Sequence, residues 1–163
     1  MPRTGRITRI TLDEASIARR GPEIDHERAI AIYDLIENNR FALAGGHQGP
    51  YHLRLFVEES RLMLDIRAHA DSGEDAPLQM IGLSLGPFRR VIKDYFTLCD
   101  SYYAAIRQAS PSQIEAIDMG RRSLHNEGSE LLAERLAGKV ELDHDTSRRL
   151  FTLICALHLR GQG

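Results

Sequence analysis

Apolar residues recur at every second position through much of the first half of the chain, and at every third or fourth position in the second half. The alternation is clearest between Tyr51 and Leu85. Tyr51, Leu53, Leu55 and Val57 fall on one face of a strand, and Leu62, Leu64, Ile66 and Ala68 fall on one face of the next. Glu58–Arg61 is short enough to be the hairpin turn between them. The acidic and polar stretch from His69 to Pro77 predicts a mobile loop, and Leu78–Leu85 predicts a further strand. A weaker alternation over Arg6–Leu12 predicts a first strand near the start. Strands this close together in sequence pair most simply as an antiparallel meander.

Between the first strand and the meander the repeat is helical. Pro22 suits a first helical turn, with Glu23, Asp25 and Glu27 near its positive end. Ile24, Ala31, Ile32, Leu35 and Ile36 then form a stripe that runs to about Asn39. From Pro87 onward the period changes for good. Phe88, Val91, Ile92, Tyr95, Cys99, Tyr102 and Ile106 share one helix face. Ser110, Pro111 and Gln113 make a capping box with proline at the first helical position, the sharpest boundary signal in the chain. That helix continues through Ile114, Ile117 and Leu124, and Gly128 predicts a break before a separate piece over Ser129–Leu136. Asp143 or Asp145 caps a last helix that carries Leu150, Phe151, Ile154 and Leu157, and Gly161 closes it. The expected class is α+β: an antiparallel β-meander with one early helix, packed against a C-terminal bundle of three to four helices. Residues 1–163 read as one domain, with a β-rich half at about 6–86 and a helical half at about 87–160.

Composition narrows the function classes. The chain is 42% hydrophobic, enough for a core without staples, and its formal net charge of −2 argues against a general nucleic-acid binder. No apolar run approaches the roughly 20 residues that span a bilayer, and the opening segment lacks the apolar stretch of a secretory leader. Cys99 and Cys155 sit in apolar helical patterns with no metal-binding spacing, as free thiols do in a reducing compartment. A cytoplasmic protein without metal or cofactor is the expectation.

Two features bear on chemistry. The first is a set of Arg pairs: Arg19–Arg20, Arg89–Arg90, Arg121–Arg122 and Arg148–Arg149. Arg89 and Arg90 fall in the first turn of a predicted helix, where cations oppose the helix dipole and an anion would be welcome. Solvation or pairing with acids such as Asp94 is the plainer account, and Arg148–Arg149 reads the same way beside Asp143 and Asp145. The second is the polar segment Asp118–Ser129. Asp118, Arg121, Arg122 and His125 recur at helical spacings of three and four, and His125 is a proton-transfer candidate. Glu127 would orient His125 only if the helix broke near Gly128, because residues two apart on a helix point away from each other. Asp25-His26-Glu27 and Asp143-His144-Asp145 match no metal-ligand spacing, and Gly45–Gly49 lacks the ending of a phosphate-binding loop.

The segments Leu83–Tyr95, Ile114–Arg122, Leu124–Ser129 and Arg148–Cys155 together resemble a small, mostly alphaproteobacterial family, uncharacterised protein family number two-six-two. The likeness runs from Ile10 to Arg160 and is most specific over Ile114–Ser129; it departs at Gly86, where the family carries a polar cap residue. It implies a bacterial cytosolic protein of this length and no particular activity. Two expectations result. In the first, the Arg121–Ser129 segment, with Asn126, is a surface for a protein partner or for self-association. In the second, Arg89, Arg90, Arg121 and Arg122 bind a phosphorylated metabolite, with His125 as acid/base and Glu127 behind it.

Overall fold

The computed structural model describes residues 5–13 and 22–157. Strand β1 (Ile7–Leu12) precedes helix α1 (Pro22–Glu37), and a short strand β2 (Phe41–Leu43) follows it. Strands β3 (Tyr51–Glu58), β4 (Arg61–Ala68) and β5 (Pro77–Ser84) form the expected meander. Helices α2 (Gly86–Gln108) and α3 (Pro111–Leu136), a short strand β6 (Val140–Leu142) and helix α4 (His144–Ala156) follow. The α+β class with a helical C-terminal part is therefore as the apolar pattern predicts.

The sheet order is β1-β3-β4-β5. The register sets Leu53 opposite Ile66 and Leu55 opposite Leu64, so the two apolar faces coincide. All four side chains are buried, together with Ile81 and Leu83 from β5. Phe88, Val91 and Ile92 of α2 and Leu150, Phe151 and Ile154 of α4 belong to the same buried cluster. The turn of the β3–β4 hairpin is Glu59–Ser60, both at positive φ (51° and 62°), the backbone that matches the twist of paired strands.

Three features depart from the sequence reading. First, β1 joins the sheet beside β3 in parallel, which the intervening α1 crossover permits. Second, β2 and β6 pair antiparallel as a separate two-stranded sheet, Phe41 opposite Leu142 and Leu43 opposite Val140. Third, α3 runs through Gly128 without a break. The capping box at Ser110 and Gln113 and the Asp143 cap on Thr146 are both present. The 69–76 loop is tied to the sheet: Asp75 accepts from the backbone N–H of Ala70 (2.7 Å) and meets His52 at 2.6 Å, and His52 in turn meets Thr11 at 2.9 Å. The Arg19–Arg20 pair and Gly161 lie outside the described residues. No helix among the described residues is long and apolar enough to cross a membrane.

Candidate functional site

Helices α3 and α4 each carry polar residues at helical spacing on one face. On α3 these are Asp118, Arg121, Arg122 and His125; on α4 they are Asp145, Arg148, Arg149 and Thr152. The two faces meet in a concavity of about 400 Å³, with Tyr95 of α2 in its wall. Close helix approach builds it. Gly128 lies against the ring of Phe151, and the buried Ser147 hydroxyl donates to the Ser129 carbonyl (2.7 Å). A side chain at position 128 would push the two faces apart.

Four guanidinium groups line the concavity against one lining carboxylate, Asp145. They are not equivalent. Asp118 accepts from Arg121 and from Arg122, and the Arg121 guanidinium stacks 4.3 Å over the Tyr102 ring. Those two charges are partly satisfied from behind. Arg148 instead donates to the Asn126 side-chain carbonyl (2.9 Å), and Arg149 donates to the Asn38 backbone carbonyl (3.3 Å). Both acceptors are neutral. Among the described residues no carboxylate comes within ion-pair distance of Arg148 or Arg149. The neutral acceptors orient the guanidinium forks without cancelling their charge.

His125 sits between Tyr95 (ring centroids 5.7 Å) and Phe151 (5.3 Å), half-buried. Its Nε2 lies 2.7 Å from the Thr152 hydroxyl, whose one proton goes to the Arg148 carbonyl at 3.0 Å. Thr152 must therefore accept from Nε2–H, which leaves Nδ1 as a bare lone pair. Nδ1 is buried and has no partner. Burial, and then the Arg148 charge, push the His125 pKa down from 6.5 to about 4. A depressed folded pKa means the neutral ring favours the native state. That contribution is present above the unfolded pKa and is lost as the pH falls through the folded one. The expected result is stability that drops as pH falls from about 6.5 towards 4, with a smaller drop in His125→Gln. A His125 ring titrating near its ordinary value in an NMR pH series would contradict this account.

The other sequence candidates are placed elsewhere. Glu127 pairs with Arg90, which also pairs with Asp94 at 3.2 Å, so the unbroken α3 turns Glu127 away from His125. The Arg89–Arg90 pair and the His125 face do not share the concavity. Arg89 has its Nε and one terminal nitrogen buried without hydrogen-bond partners. Asn126 belongs to the site through Arg148. Arg148 and Arg149, which the sequence reads as solvated or paired with Asp143 and Asp145, line the concavity, and their spacing with Asp145 and Thr152 was the available signal. Among the described residues no group of three or more His, Cys, Asp or Glu side chains could hold a metal ion.

The described residues thus form an α+β fold with four helices and a basic concavity between α3 and α4. By sequence comparison the chain belongs to the uncharacterised protein family UPF0262, whose pattern matches residues 4–160. It is similar to the UPF0262 protein of Rhodospirillum rubrum, 59% identical over 97% of this chain and 95% of that protein. The UPF0262 protein of Azorhizobium caulinodans is 60% identical over 98% of each chain, and that of Xanthobacter autotrophicus is 62% identical over 97% of this chain and 94% of its own. No solved structure matches. The names of these relatives state membership and no activity, so the functional reading rests on the concavity.

Proposed function

We propose that this chain is a small cytoplasmic binding module for a phosphate-bearing small molecule, a receptor or sensor rather than a catalyst. The observation that carries the reading is that Arg148 and Arg149 both line the concavity, donate to neutral acceptors and, among the described residues, have no carboxylate within ion-pair distance. A phosphate in the concavity that accepts from these guanidinium groups gains charge-assisted hydrogen bonds. Arg122, whose side chain is 62% exposed, extends the basic wall. A volume of about 400 Å³ suits a small ligand. His125 supports binding over catalysis: neutral and hydrogen-bonded to Thr152, it shapes the wall and fixes the Arg148 turn. The free state of both cysteines fits a reducing compartment.

Calorimetric titration with inorganic phosphate and with sugar phosphates, against chloride at matched ionic strength, tests this. Wild type is expected to bind at millimolar concentration or below, and R148A/R149A to lose about tenfold or more in affinity, roughly 1.4 kcal/mol. Absence of binding by every phosphate monoester tried would end the proposal. A partner or self-association surface over Arg121–Ser129 is the second reading. On that stretch Arg122, Ser123 and Glu127 are the exposed side chains, while Gly128 and Ser129 are buried. Light scattering and a pull-down address it; a strict monomer that retains no partner would remove it.

A further inference from the structure

A second concavity of about 400 Å³ adjoins the first, lined by Ala31, Asp34, Glu37 and Asn38 together with Arg149 and Thr152. Arg149 and Thr152 line both spaces, so they form a shared wall rather than two distant surfaces. The two compartments carry opposite charge: the first holds the arginines, and the second holds Asp34 and Glu37. On α1 these two carboxylates are three residues apart, on one face, and the small side chain of Ala31 one turn earlier leaves room beside them. Both lie near the C-terminal end of α1, where the helix dipole is negative and a carboxylate is disfavoured. The last turn of α1 contains no basic residue. Among the described residues neither Asp34 nor Glu37 makes an ion pair, and the nearby Arg149 donates to the Asn38 carbonyl instead.

We infer that the ligand is dipolar: a phosphate held in the arginine compartment and an ammonium group held by Asp34 and Glu37 across the Arg149–Thr152 wall. The chemical class is a phosphorylated amine, such as an amino-sugar phosphate. This inference rests on the phosphate reading above and adds the second group. A neutral polyol phosphate would bring these two carboxylates no cation. An ammonium would meet them and the negative end of α1 at once. The arginines disfavour an amine in the first compartment, and Asp34 and Glu37 disfavour a second phosphate in the other.

The test uses two matched pairs of probes, each differing by one ammonium: glucosamine 6-phosphate against glucose 6-phosphate, and O-phosphoethanolamine against ethyl phosphate. Titrations are run on the full chain at neutral pH, with inorganic phosphate as reference. The amine member of at least one pair is expected to bind about tenfold tighter than its neutral match. In D34N/E37Q that preference should shrink to within about twofold, while inorganic phosphate still binds. The substituted positions are exposed, so the fold is retained. Equal affinity within both pairs, or a preference that survives in D34N/E37Q, overturns the inference and leaves the phosphate reading standing. Failure of every phosphate to bind overturns both.

Discussion

Gly128→Ala is expected to cost about 3 kcal/mol, a fall of roughly 6–12 °C in Tm for a chain of this size. An alanine Cβ there would lie 2.1 Å from Cζ of Phe151 and 2.4 Å from Cε1, far inside contact distance. The ring cannot swing aside, because Phe151 is fully buried and packs edge-on against His125. Alanine is the better helix former by about 1 kcal/mol, so any loss is a lower bound on the steric term. The same change separates α3 from α4, and phosphate affinity should fall with stability. Phe151→Leu in the G128A background should recover part of the loss by thermal denaturation. An unchanged Tm in the single variant would show that the helices do not approach this closely.

Asn39→Asp should be at least as damaging although it changes the side-chain shape hardly at all. Asn39 is 7% exposed, and its side chain acts as a strand partner for Ile7 at the start of β1. Oδ1 accepts from the Ile7 N–H at 2.8 Å, and Nδ2 donates to the carbonyls of Ile7 (2.9 Å) and Leu35 (2.8 Å). The introduced carboxylate would direct a buried negative oxygen at two carbonyl oxygens with no proton between them. The expected loss is about 3 kcal/mol or more at neutral pH. Burial raises the pKa of that new group, so part of the deficit relative to wild type should return as pH falls to about 5. Asn39→Ala, which removes the bonds without adding charge, should show no such recovery. Denaturant melts of both variants at the two pH values separate these outcomes.

How much of this was legible in the sequence depends on element length and on the range of each contact. The β3–β5 meander was readable because eight-residue strands repeat the alternation often enough to fix a face. The ends at Ser110 and Asp143 were readable because capping is local chemistry. Strands β2 and β6 were not readable: three residues carry no period, and Phe41 finds its partner Leu142 far along the chain. Gly128 misled for a related reason. Locally a glycine suggests a helix break, but here it admits the Phe151 ring, a contact that no local pattern encodes. In the candidate site, the face formed by Arg121, Arg122 and His125 followed from spacing alone. Arg148 and Arg149 looked answered by Asp143 and Asp145 because those acids are close in sequence. In three dimensions Asp143 caps Thr146 and feels the Arg149 charge without pairing with it, and the arginines donate to Asn126 and Asn38.

The β2–β6 ribbon has a further consequence during synthesis on the ribosome. A chain made from its N-terminus reaches Phe41 and Leu43 about 100 residues before their partners Leu142 and Val140. Until those arrive, the edge of β2 that pairs with β6 has no partner strand in the growing polypeptide.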